Sequence, residues 1–151
     1  MLDLSRVLAG PWAAQQLADL GAEVIKVEQP DRGDDTRAWG PPFMSGSAGP
    51  TRESAYYLCA NRGKQSITVD YRSPRGQEIV HALAKECHVL IENFKVGSLA
   101  KYRLDYESIH RINPGTVYHT LVDHCQLTQS RAGVLFDHGL RTDRCVSVSR
   151  D

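Results

Sequence analysis

The chain has 151 residues, about the length of one domain. Lys plus Arg and Asp plus Glu both total 18, so the formal net charge is zero. That balance argues against a partner held through a nucleic-acid backbone and against an acidic solvating tail. The 41% hydrophobic content excludes bulk disorder, and no apolar run is long enough to span a bilayer.

The opening Leu2-Asp3-Leu4 reads as the end of a strand that begins abruptly, and missing upstream sequence is expected there. Pro11 suits the first position of a helix, which Ala13, Ala14, Leu17, Ala18 and Leu20 continue and Gly21 stops. Residues 23–28 form a second strand, so strand, helix and strand make a βαβ unit of a parallel sheet. Residues 29–53, rich in Pro, Gly, Asp and Ser, read as a long loop. A short helix is expected over 54–59 and a third strand over 66–70. Ser73-Pro74 caps and opens a helix carrying Ile79, Val80, Leu83 and Ala84 on one face. Residues 89–92 are a fourth strand, Asp105 caps a further helix, and 116–121 are a fifth strand. Beyond 122 the βα rhythm stops, and residues 123–151 contain no Lys and no Glu. The expected division is therefore 1–121 as the folded portion and 122–151 as a divergent, poorly ordered tail.

Cys59, Cys87, Cys125 and Cys145 include no CxxC pair, so zinc-ribbon and thioredoxin readings fail and the thiols read as reduced and incidental. His119, His124 and His138 lie near Cys125 and Asp123, but the spacing suits no helix face, and no metal site is expected. No GxGxxG follows the first strand, no GxxxxGK[ST] is present and there is no GxSxG. What remains are polar residues at the carboxyl ends of the strands: residues 5–10, Gln29, Asp70-Tyr71-Arg72 and Asn93-Phe94-Lys95. Ligands of open α/β sheets bind at those ends. Arg72, Lys95 and Lys101 are placed to meet phosphate groups, and helix starts after Gly10 and Ser73 add N–H donors. The pattern fits a crevice for a nucleotide-like anion; ordinary loops with solvated charges are the other reading.

The stretch LDLSRVLAGPWAAQQLADLGAEVIKVEQPDRGDDTRAWGPPF resembles the amino end of class III (CaiB/BaiF-type) coenzyme A transferases. YYLCANRGKQSITVDYRSPRG, VLIENFKVGSLAKYRLDYESI and INPGTVYHTL continue the resemblance in the family's order, from residue 2 to about 121. GDDTRAWGPPF and SAYYL most resemble the succinate–hydroxymethylglutarate branch, whose members exchange CoA between dicarboxylates in mitochondria. The resemblance implies a Rossmann-like parallel sheet with helices on both faces, the amino-terminal part of the large CoA-transferase domain. It implies acyl-CoA and a carboxylic acid as partners, CoA as a substrate and no permanently bound cofactor. It also implies interlocked homodimers and a mitochondrial setting, although the opening MLDLSRVLAGP has no presequence features and otherwise reads as cytoplasmic.

By the same resemblance Leu8 and Ala9 touch CoA, and Val69, Asp70, Tyr71 and Arg72 run along its adenosine and phosphates. Asn93, Phe94 and Lys95 match the loop over pantetheine and nucleotide, and Lys101 matches a phosphate contact. Trp39 matches an aromatic at the active-site mouth, and Gln29 stands where some relatives carry an Arg that meets CoA. For Val69 and Phe94, core packing is the plain alternative. Family members use an Asp nucleophile that forms an acyl anhydride and then an enzyme-CoA thioester. Its Gly-rich motif is not found here. Residues 129–133 resemble the S-x-R-A-G that precedes a Tyr-Asp pair, but Val134-Leu135 follows, leaving Asp137 as the nearest carboxylate. The chain alone is therefore expected to be inactive, an incomplete form with a tail from an alternative or shifted reading frame. The alternatives are a 2-methylacyl-CoA racemase relative, which would need a His where Val134 stands, and a non-catalytic truncated isoform.

Overall fold

The computed structural model describes residues 1–47 and 49–121. In chain order the elements are β1 (Leu2–Asp3), α1 (Ala9–Asp19), β2 (Ile25–Glu28), a 3-10 turn (Asp35–Ala38), β3 (Phe43–Gly46) and β4 (Gly49–Ser54). They continue with α2 (Ala55–Asn61), β5 (Gln65–Thr68), α3 (Pro74–Glu86), β6 (Val89–Glu92), a second 3-10 turn (Ala100–Tyr102), α4 (Tyr106–Ile112) and β7 (Val117–Thr120). Five strands form one parallel sheet in the order β5-β2-β1-β6-β7. The winding reverses at β1, which pairs with β2 on one side and β6 on the other.

Alternate residues of the strands face opposite layers. Leu90 joins Leu2, Val80, Ala84, Leu104 and Ile109 beneath α3 and α4, whereas its neighbour Ile91 joins Ala14 and Val24 beneath α1. Burial on both faces follows from helices covering both, as the family resemblance implied. α1 and α2 pack together on one side and α3 and α4 on the other.

The helix starts follow their local chemistry. Ser54 Oγ accepts from Tyr57 N at 3.0 Å, and Ser73 Oγ accepts from Gly76 N at 3.0 Å with Pro74 opening the helix. Gly21 takes φ 94° just past α1, as its place after the periodic run predicts. Other expectations need correction. Pro11 is the third residue of α1 rather than the first. Asp105 stands before α4, but its side chain makes no capping bond. β5 ends at Thr68, although Val69 N still donates to Glu28 O at 2.9 Å. The supposed loop over 29–53 holds a 3-10 turn and the antiparallel β3–β4 hairpin. β3 is exposed along its whole length, so no buried face imposed an alternating pattern that would reveal it.

Gly76, in the first turn of α3, lies so close to the Asp70 carbonyl that a Cβ there would overlap it. The helix start is thereby pressed onto the 69–72 loop. Gly76→Ala is expected to lower stability by about 1–3 kcal/mol. Denaturant unfolding of the two chains measures this; equal midpoints would contradict the close approach.

Candidate functional site

The carboxyl ends of β1 and β6 diverge at the reversal of strand order, where open α/β sheets bind ligands. The last regular bond between them runs from Leu4 N to Ile91 O at 2.9 Å. Asn93 then bridges the gap with its side-chain amide. Its Oδ1 accepts from Arg6 N at 2.8 Å and its Nδ2 donates to Arg6 O at 2.7 Å. The Arg6 guanidinium stands 5.4 Å from the centre of the Phe94 ring. Phe94 meets Tyr71 edge to face at 6.0 Å, and Tyr71 meets Tyr102 at 5.4 Å. Lys101 Nζ sits 4.8 Å from the Tyr102 ring centre. An aromatic wall with cations on its rim thus crosses the tips. Burial pushes the Tyr71 hydroxyl above its ordinary pKa, against the opposing influence of Arg6.

Asp3, Lys26 and Glu28 alternate with Leu2, Leu4, Ile25 and Val27 of the core that this wall packs against, so their buried ion pairs lie on the opposite, α1/α2 face of the sheet. Lys64 Nζ donates to Asp3 Oδ2 at 2.8 Å, to Pro11 O at 2.7 Å and to Asn61 Oδ1 at 2.9 Å. Lys26 Nζ lies 3.0 Å from Asp34 Oδ2 and donates to Ser5 O at 2.9 Å. Arg37 meets both oxygens of Glu28 at 2.7 Å and stacks 3.8 Å from the Tyr57 ring centre. Glu28 also accepts from Tyr57 Oη at 2.9 Å, Ser66 Oγ at 2.6 Å and Asp34 N at 2.7 Å. Burial alone would raise its carboxyl, but these donors hold it down to about 2. Asp34 is likewise lowered: burial opposes its charge, and Lys26 with Thr36 outweighs that effect.

Of the residues singled out from sequence, Tyr71, Asn93 and Phe94 come together directly with Arg6, and Gln29 lines the same small recess beside Tyr71 and Phe94. Arg6 fell within the span 5–10 marked from sequence but was given no role of its own. Val69 is buried in the core with Leu4 and Val27, so its packing reading holds. Asp70 is tied to Arg72, whose Nε lies 2.8 Å from Asp70 Oδ1, and both side chains stay substantially exposed. Leu8 and Ala9, at the start of α1, and Lys95 and Lys101 are exposed at the same edge. Trp39 is not part of the wall; it stacks edge to face on Tyr56 at 5.1 Å, beside the hairpin. A cleft of about 510 Å³ lies on that side, lined among others by Gln29, Arg32, Arg37, Phe43 and Ser66. His119 is exposed on β7; His124, His138, Cys125, Asp123 and Asp137 lie outside the described residues.

Lys26 and Lys64 escaped the sequence reading, although one signal was present. A strand inside a parallel sheet is usually a near-continuous apolar run. Lys26 and Glu28 interrupt that run in β2, and buried charges of this kind need partners.

A sequence profile of CoA-transferase family III matches residues 1–137. A succinate–glutarate CoA-transferase of Agrobacterium fabrum is 55% identical over 118 residues, covering 78% of this chain and 30% of that protein. The human succinyl-CoA:glutarate CoA-transferase is 49% identical over 126 residues, covering 83% of this chain and 27% of that protein. A crystal structure of a CaiB/BaiF family protein from Brucella suis superposes with a TM-score of 0.74 at 54% identity, covering 79% of this chain and 31% of that one. The chain therefore spans about 30% of the length of the relatives it matches.

Glu28 gives the site a defined acid limit. Its folded pKa of about 2 lies below the ordinary 4.5, so its stabilisation is fully present above pH 4.5 and is lost as pH falls toward 2. The gap corresponds to roughly 3 kcal/mol. In Glu28→Gln, melting temperature should fall at neutral pH, and the steep decline between those pH values should flatten. Thermal melts of both chains across that range test this; parallel profiles would contradict it.

Proposed function

Because the chain belongs to CoA-transferase family III, we propose that residues 1–121 form the CoA-binding portion of an enzyme that moves CoA between carboxylic acids. Dicarboxylic acids are the favoured class, since the matched Agrobacterium fabrum and human relatives are named for succinate or succinyl-CoA and for glutarate. The partners are then an acyl-CoA and a free acid, with CoA leaving on the product rather than staying as a resident group. The observation that carries this reading is the Asn93–Arg6 clasp at the reversal of strand order, with an aromatic wall and exposed cations around it.

In this reading Leu8 and Ala9 present the start of α1 to the pyrophosphate. That helix has no side-chain cap, so its first N–H groups are available to an anion. Arg72, Lys95 and Lys101 neutralise phosphates. Tyr71 and Phe94 form the flat wall beside the adenosine and pantetheine, with Val69 supporting it from the core. Gln29 offers an uncharged amide where an Arg would add a charge contact, and Trp39 borders the acyl side.

The transfer itself requires an ionised carboxylate that a thioester can approach. Several carboxylates near the tips are already engaged. Glu28 and Asp34 are buried in ion pairs, and Asp70 is held by Arg72. Glu92 accepts from Phe94 N at 2.7 Å, and burial raises its pKa. None of these is assigned as nucleophile. Asp137 stays a candidate on sequence grounds alone.

Isothermal titration of the 151-residue chain with CoA tests the binding role. Saturable binding that weakens with added salt is expected, with Lys101→Ala and Arg72→Ala each raising Kd several-fold. A chain that takes up no CoA, or variants that bind like the parent, would refute the assignment of these residues.

A further inference from the structure

Residues Ser5, Arg6 and Val7 turn the chain from β1 toward α1. Val7 has φ 71°, in the left-handed region, where a β-branched side chain is a steric outlier. A residue persists there only when its surroundings over-determine it. Each residue of this turn is bonded. Asp3 Oδ1 accepts from Ser5 N at 2.9 Å and from the Ser5 hydroxyl, and Asn93 closes on both backbone groups of Arg6. The remaining bonds come from one ion pair. Lys26 and Asp34 lie 3.0 Å apart with side chains 1% and 0% exposed. Lys26 Nζ donates to Ser5 O at 2.9 Å, and Asp34 Oδ1 accepts from Val7 N at 3.4 Å. Thr36 N and Oγ1 donate to the same oxygen at 3.0 and 2.8 Å and orient the carboxylate. The pair therefore grips the residues immediately before and after Arg6.

We infer that the buried Lys26–Asp34 pair is a positioning element for CoA binding: it holds Val7 in the left-handed turn, so that Arg6 faces Phe94 and Leu8-Ala9 opens α1 at the strand tips. The inference rests on the CoA-binding reading above. As a stability device the pair has little advantage, because well-packed apolar side chains in its place are often equal or better. Apolar side chains offer nothing to the Ser5 carbonyl and the Val7 N–H, which this pair ties down.

Asp34→Asn keeps the shape of the side chain and removes the charge opposite Lys26. CoA titration of that chain should show Kd raised tenfold or more. Val7→Gly supplies the discriminating rescue, because glycine adopts positive φ without steric cost. The double variant Asp34→Asn/Val7→Gly should regain at least threefold in affinity, and Val7→Gly alone should stay within twofold of the parent. A purely structural Asp34 would lower the melting temperature, and the glycine would restore no affinity; that result overturns the inference. So does an Asp34→Asn chain that binds CoA like the parent. Should Asp34→Asn fail to fold, Val7→Gly alone decides: unchanged affinity supports the inference, and a tenfold loss overturns it by showing that the valine side chain is what matters. If the parent chain binds no CoA, the binding reading fails separately. The turn is then followed by NMR, and a left-handed Val7 signature that persists in Asp34→Asn overturns the positioning role.

Discussion

Lys64, Lys26 and Arg37 lie on the α1/α2 face of the sheet, each matched by a carboxylate from another segment: Asp3, Asp34 and Glu28. Removing one partner from such a pair is strongly destabilising, about 3–5 kcal/mol, because the other charge is left buried. The pairs therefore dictate which segments must meet. Lys64 brings the chain entering β5 to β1 and the start of α1. Lys26 brings β2 to the turn after β1 and to the loop at Asp34. Glu28 draws in Arg37, Tyr57 of α2 and Ser66 of β5. The loops at the strand tips inherit their positions from this buried row.

At the carboxyl edge of the sheet, Asn93 solves a different problem. Parallel strands separate at the reversal of strand order, and backbone pairing between β1 and β6 ends after Leu4. A side-chain amide carries the same donor and acceptor as a peptide group. By bonding both backbone groups of Arg6, Asn93 adds one more rung to the ladder after the strands have parted. The crevice stays open beyond that rung while its two walls keep a fixed spacing. Phe94, the next residue, is thereby set against Arg6 and Tyr71.

Much of the frame was legible from local pattern. The βαβ rhythm, the Ser73-Pro74 helix start, the Gly21 stop and the run 89–92 each depend on residues adjacent in sequence. The tips of the strands were also locatable, because a parallel sheet defines where its loops emerge. The β3–β4 hairpin was hidden, since β3 is exposed along its length and Gly49, Thr51 and Glu53 of β4 are half-buried without an apolar alternation. The ion pairs were hidden for another reason. Asp3 and Lys64 stand 61 residues apart, and Tyr57 meets Glu28 across 29, distances over which no periodicity carries information. Lys26 and Glu28 inside a central strand announced that partners existed, though not which ones. Trp39, assigned to the active-site mouth by resemblance alone, packs edge to face on Tyr56.

The charges at this edge fall into two tiers that differ in what a ligand can do to them. The side chains in the pairs of Lys26 and Lys64 are at most 1% exposed, too deep for a phosphate to compete for them. Arg6 with Asp35 at 3.5 Å and Arg72 with Asp70 at 2.8 Å are both around half exposed. Exposed pairs of this kind are worth about 0–1 kcal/mol and are screened by salt. A guanidinium in such a pair can exchange its carboxylate for a phosphate at small cost, whereas a buried one cannot. A chain with no net charge can thus offer a cationic rim to an anion. The rigid pairs fix where Arg6 stands, and the loose ones leave Arg6 and Arg72 free to change partners.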